Sequence, residues 1–178
     1  MTEPTKDLRS FEKKIIVLIG HMGSGKSTIG KILARNLHWN YFDSDKEIER
    51  RQKNSIKNIF QTHGENFFRR EEELVIKNLI NITYSVISLG GGSITIKNIR
   101  KILKKKAISI FLKVDIDVLV ERLNNTKKRP LLINTDIKNK IISLDAERSN
   151  FYNKADIIIK NSDNLNIVTS KIMRILNK

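Results

Sequence analysis

Ile15-Ile16-Val17-Leu18-Ile19 runs directly into Gly20-His21-Met22-Gly23-Ser24-Gly25-Lys26-Ser27-Thr28. Five consecutive aliphatic residues, four of them β-branched, read as a strand buried on both faces of a parallel sheet. Beyond the glycines, Ile29, Ile32, Leu33 and Leu37 recur at helical spacing, so the order is strand, loop, helix. The loop matches GxxxxGK[ST] and sits where that motif works. Glycines let the backbone wrap closely enough for its N–H groups to ring phosphates at the positive end of the following helix. Lys26 can reach the β and γ phosphates, and the Ser27 hydroxyl can ligate Mg²⁺. A nucleotide is therefore expected on Gly23, Ser24, Gly25, Lys26, Ser27 and Thr28.

Working outward, a short second strand ends in Tyr41-Phe42-Asp43, and residues 44–81 read as helical pieces broken near Asn54 and at Gly64. Val86 to Leu89 is a third strand, closed by Gly90-Gly91-Gly92. A helix near 95–105 leads to a strand from Ala107 to Leu112, and Asp115 is placed to cap a helix from Ile116 to Leu123. Between 124 and 137 the hydrophobic period fails, and Pro130 falls in this polar, basic stretch, which reads as a mobile surface loop. A helix from Leu144 to Tyr152, a strand from Asp156 to Ile159 and an amphipathic helix to Leu176 complete the chain. Strands alternating with helices predict an α/β three-layer sandwich around a mostly parallel five-stranded sheet. The 178 residues fit a single domain, with residues 1–13 as a loose arm.

Composition narrows the classes. Hydrophobic residues are 39% of the chain, enough to build a core and to exclude a disordered polar chain. The absence of cysteine excludes disulfides, thiolate metal sites and a cysteine nucleophile. No apolar stretch approaches the roughly 18 residues of a membrane span, and the expected location is the cytoplasm. Net charge is +15, but the densest basic runs, Lys104 to Lys106 and Lys127 to Arg129, are short and far apart. No aromatics interleave with them, so the charge reads as solvated surface, with neither nucleic acid nor membrane as partner and a monomer expected. Of eight glycines, three lie in the first loop and three form Gly90 to Gly92, which concentrates the close backbone approaches at two sites.

Phosphate loops serve many chemistries, so neighbouring acids must discriminate. Asp43 and Asp45 are two apart at a strand end, where the pleat would point both carboxylates the same way. One can hold Mg²⁺ while the other faces a substrate hydroxyl, as phosphoryl transfer to an alcohol requires. The spacing alone leaves a second reading open, in which the pair caps the segment from Lys46 to Arg51.

The loop, then Asp43-Ser44-Asp45, Gly64-Glu65-Asn66-Phe67-Phe68-Arg69, Gly90-Gly91-Gly92, Arg129-Pro130-Leu131-Leu132, and Arg148 with Tyr152 and Ala155-Asp156, resembles the shikimate kinase family in order and spacing. The resemblance implies a nucleoside-monophosphate-kinase-like fold with a mobile lid. It implies transfer of the γ-phosphoryl of ATP to the 3-hydroxyl of shikimate, in aromatic amino-acid (chorismate) biosynthesis, with one Mg²⁺. Carried over by position, Asp45 would bind the reacting hydroxyl and act as base, and Asp43 would position the metal with Ser27. Arg69 and Arg148 would clamp the shikimate carboxylate, and the backbone of Gly90, Gly91 and Gly92 would approach the substrate. Lys26 and the lid residue Arg129 would meet the transferring phosphate, with Arg122 and Pro130 near the adenine. Phe60 and Phe68 are either pocket wall or ordinary core. His21 and Met22 occupy variable positions, and His21 is expected to be a bystander. The final helix offers no clear adenine contact. Rival readings are a gluconate or nucleoside-monophosphate kinase of the same fold, and a nucleotide switch or nucleic-acid-dependent ATPase.

Overall fold

In the computed structural model, which describes residues 13–124, 136–161 and 164–176, the first strand β1 (Ile15–Ile19) is buried at every position. Successive side chains of a strand face opposite sides. Ile15, Val17 and Ile19 therefore enter one hydrophobic cluster, and Ile16 and Leu18 the other. That alternation sets three layers.

The remaining elements are α1 (Lys26–Leu37), β2 (Asn40–Asp43), α2 (Ser44–Gln52), α3 (Ile56–Leu79), β3 (Ser85–Ser88), α4 (Lys97–Lys106), β4 (Ile108–Lys113), α5 (Ile116–Asn124), α6 (Ile137–Tyr152), β5 (Ile157–Lys160) and α7 (Leu165–Leu176). The sheet has the order β2-β3-β1-β4-β5 and every pairing is parallel. Its strands thus end at a common edge. One face is covered by α1 and α7 through Leu33, Leu37, Val168, Ile172 and Leu176, and the other by α3 and α4 through Val75, Ile76, Ile99 and Leu103. Each such buried side chain contributes about 1.5–3 kcal/mol relative to an exposed one.

The breaks expected near Asn54 and at Gly64 have local causes. Lys53 adopts a left-handed conformation at the end of α2, and the Ser55 side chain then accepts from Asn58 N to start α3. Gly64 holds φ 76° and ψ 175° inside α3, and a Cβ there would meet nothing within 4 Å. The kink needs glycine for its backbone angle and not for room.

Two expectations are corrected. Strand β2 stops at Asp43 and α2 starts at Ser44, so the pleat cannot be what aligns Asp43 with Asp45. Helix α6 starts at Ile137, well before Leu144, capped by Asp136, whose carboxylate accepts from Asn139 N at 3.1 Å. Its buried residues are Ile141 and Tyr152, too sparse for a visible hydrophobic period. Asp115 does precede the first residue of α5, its carbonyl accepting from Leu119 N at 3.0 Å, while its carboxylate stands 3.0 Å from Lys160 Nζ, pairing across to β5. Of the loop at 124–137, Asn124 ends α5 and Ile137 begins α6, while 125–135, with Arg129 and Pro130, lie outside the described residues, as does most of the arm at 1–13. Among the described residues no helix is long and apolar enough to cross a membrane.

Candidate active site

The loop after β1 takes its shape from Gly20, Gly23 and Gly25, with φ of 142°, 81° and 88°. Gly25 also lies over Asn161 at the end of β5: an added Cβ would come 2.8 Å from Asn161 Nδ2, which itself donates to the Ser24 carbonyl at 2.6 Å. Lys26 Nζ donates to the carbonyls of Gly20 and His21, each at 2.8 Å. Ser27 and Thr28 are exposed at the start of α1, and Arg122 reaches in from α5, its Nη1 3.4 Å from the Gly23 carbonyl. Of the residues expected to hold a nucleotide, those described thus come together, while Arg129 lies outside the described residues.

At the end of β2, Asp43 does two things. Its Oδ1 accepts weakly from Lys46 N at 3.5 Å, capping α2, and its Oδ2 accepts from Ser27 Oγ at 2.8 Å and from Tyr41 OH at 3.3 Å. The capping reading thus holds for Asp43, and the same carboxylate also reaches Ser27. The donor set of a hydroxyl and a carboxylate, both hard oxygens, fits a Mg²⁺ that takes its other ligands from phosphate and water. Asp45 projects from the first turn of α2 into the same cavity. Burial pushes its carboxyl from the usual 3.8 up to about 6, with Asp43, Glu72 and Glu49 adding and Lys26 opposing.

Opposite, α3 presents Phe68, Arg69 and Glu72. Arg69 Nη1 donates to Glu72 Oε2 at 2.6 Å, and its Nη2 donates to Glu65 Oε1 at 3.0 Å. Glu72 is 1% exposed, and its other oxygen accepts from Ser93 Oγ at 2.6 Å. The glycine triplet makes room for these groups. A Cβ on Gly90 would lie 2.5 Å from Asp45 Oδ1, and one on Gly92 would lie 2.6 Å from Arg69 Nη1. None of the three has a positive φ. Gly90 N–H donates to Ser44 Oγ at 2.9 Å, so of the three expected substrate-facing amides this one is already engaged. The Gly91 carbonyl accepts from Tyr152 OH at 2.6 Å. Phe60 and Phe68 stack at 4.6 Å, and both readings hold, since both rings line the cavity and belong to the core around it.

The fourth wall is α6. Arg148 lines the cavity, its Nε buried without a hydrogen-bond partner among the described residues and 3.5 Å from Glu147 Oε2. A cavity of about 990 Å³ joins Lys26, Ser27, Asp43, Asp45, Arg69 and Arg148. It can hold a polyphosphate on one side and, on the other, a small acid carrying a hydroxyl.

Sequence reasoning missed Glu72, Tyr41 and the tie between His21 and Asp145. Glu72 had a signal: it is the one acid on the stripe Phe68, Val75, Ile76, Leu79 that α3 buries. His21 had none, because its partner Asp145, at 2.8 Å, is 124 residues away, and Tyr41 is tied both to Asp43 two residues on and to Ser88, 47 residues away, at 3.2 Å.

A model of the shikimate kinase family matches residues 22–177. Over 153 residues the chain is 44% identical to a shikimate kinase of Alteromonas mediterranea, covering 85% of this chain and 90% of that one. A solved shikimate kinase from Acinetobacter baumannii, in complex with shikimate, superposes with a TM-score of 0.88 at 32% identity, covering 96% and 97% of the two chains. A gluconokinase from Sinorhizobium meliloti shares 14% identity with a TM-score of 0.57, a likeness of fold alone. Matched over nearly its whole described length by model, sequence and structure alike, this chain belongs to the shikimate kinase family.

Proposed function

We propose a division of labour within this cavity for the transfer of the γ-phosphoryl of ATP to the 3-hydroxyl of shikimate. As a member of its family the chain is an ATP-dependent shikimate kinase, a transferase of aromatic amino-acid biosynthesis. The observation that carries the finer reading is that a phosphate loop, a carboxylate titrating near neutrality and two guanidinium groups line one cavity.

In this reading Lys26 turns from the Gly20 and His21 carbonyls to the β and γ phosphates, which the loop amides also hold. Arg69 and Arg148 grip the carboxylate of shikimate, for which the planar fork suits better than a point charge. Asp45 accepts a hydrogen bond from the 3-hydroxyl and takes its proton as that oxygen bonds to the γ phosphorus and the bond to the β-γ bridging oxygen breaks. The products are ADP and shikimate 3-phosphate. A carboxyl near pH 6 is well matched to that proton at neutral pH. Ser27 and Asp43 would hold Mg²⁺, which when bound offsets charge on the phosphates. Arg129 would approach the transferring phosphoryl and Arg122 the nucleotide. All these groups come from one chain, so the reading includes a monomer, working in the cytoplasm as a single 178-residue domain with no nucleic-acid or membrane partner.

The test is ADP release with ATP and Mg²⁺ against shikimate, quinate, gluconate and nucleoside monophosphates. Shikimate is expected to be strongly preferred. Equal turnover of gluconate or a nucleotide would refute the assignment.

A further inference from the structure

Arg148 sits on a helix whose N-terminal half packs on α5, Ile137 and Ile141 meeting Leu119 and Leu123. Along α6 the buried residues are Ile141 and Tyr152. Between them Asp145 Oδ1 stands 2.8 Å from Nε2 of His21, a residue of the phosphate loop that is 6% exposed. The same His21 uses its carbonyl to accept from Lys26 Nζ at 2.8 Å and from Ser24 N at 3.1 Å, and its ring meets that of Tyr152 edge-on at 4.9 Å. Asp145, Arg148 and Tyr152 are spaced by three and four residues and share one face of α6. That face touches the phosphate loop through Asp145, the cavity through Arg148 and the glycine triplet through Tyr152 OH on the Gly91 carbonyl.

A carboxylate can only accept, so His21 Nε2 carries the proton. Burial holds the ring below its ordinary pKa even with Asp145 beside it. The tie is thus a neutral N–H donating to a carboxylate, a charge-assisted bond. The groups that meet the Arg148 guanidinium include Glu147, 3.5 Å from Nε, and Tyr152, both on α6 itself, so where that group points follows from where α6 sits.

We propose that His21 and Asp145 are positioning residues for the acceptor: their bond seats α6 on the phosphate loop and so sets where Arg148 meets the substrate carboxylate. This rests on the reading above, in which Arg148 grips shikimate. Asp145 is not among the residues that line the cavity, and His21, which is, acts in this proposal through α6 and not on the reacting atoms.

The test is calorimetric titration of the full chain with shikimate and, separately, with ADP. Asp145→Ala, at a surface helix position, and His21→Phe, which keeps a ring edge against Tyr152, should each weaken shikimate about tenfold. ADP affinity should stay within about twofold, because the loop amides and Lys26 remain. The double variant should be no worse than the weaker single, since both remove one bond. His21→Gln, whose amide can donate from near the place of Nε2, should recover most of the loss, which a role in packing alone would not give. Shikimate affinity unchanged in Asp145→Ala, losses that add, or equal losses for ADP and shikimate would overturn the tie. Wild-type protein that binds no shikimate would overturn both the tie and the reading beneath it. Wild-type binding with indifferent variants would remove the tie alone.

Discussion

Asp45 carries a cost that its chemistry explains. Its carboxyl titrates near pH 6 in the folded chain against the usual 3.8. Between those values the folded chain holds a proton that the unfolded chain has released, so stability falls as pH rises through that window. The penalty is absent below about pH 4 and complete above the folded value, where the shift corresponds to on the order of 2–3 kcal/mol. Asp45→Asn removes it. We therefore expect the variant to melt higher than wild type at pH 8 and at the same temperature near pH 3.5, while turnover drops by about 10²–10⁴. In the wild type, turnover should decline as pH falls through about 6, when the base becomes protonated. A variant that melts lower at pH 8 would show that the carboxylate is stabilising and that the burial argument has the wrong sign.

At the scale of elements, strands and most helices were legible because a buried strand is an unbroken apolar run, as along β1, and a helix repeats its apolar residues with period 3.6, as along α1. Helix α6 was half hidden because two buried residues in sixteen leave no stripe to read. The glycine triplet was visible as a feature but not for its reason. Room for the Asp45 and Arg69 side chains, and not left-handed backbone, is what excludes a Cβ at Gly90 and Gly92, while Gly91 has ordinary space around it. Gly92→Ala should accordingly push the Arg69 guanidinium off its place, since the new methyl would meet Nη1 at 2.6 Å. The far end of a flexible side chain can yield, so the stability cost should be modest, about 1–2 kcal/mol. Shikimate binding should weaken by about tenfold or more, with ADP affinity nearly intact. Calorimetry of the two ligands separates these, and equal shikimate affinity in the variant would show that Arg69 is not confined by the triplet. Contacts made across long sequence separations, such as His21 with Asp145 or Tyr152 with Gly91, leave no local pattern at all, and those are the ones that had to be seen in space.

For the whole molecule, parallel pairing brings the carboxyl ends of β1, β2, β3 and β5 together, and each feeds one part of the site: the phosphate loop, the two aspartates, the glycine triplet and Asn161. Among the described residues, those at the opposite edge, where the strands begin, contribute nothing to the cavity. The molecule is therefore lopsided in what it can absorb. Turns on the blank edge are free to lengthen, because closing a longer loop costs only the logarithm of its length. Inserting about ten glycine and serine residues between Ile82 and Thr83, in the exposed turn before β3, should lower the melting point slightly and leave shikimate turnover nearly unchanged. The same insertion between Gly91 and Gly92 should abolish turnover in a chain that still folds. Comparable losses from both insertions would contradict this division. If it holds, tags, fusions and added regulatory segments have a ready port of entry on one side of this enzyme and none on the other.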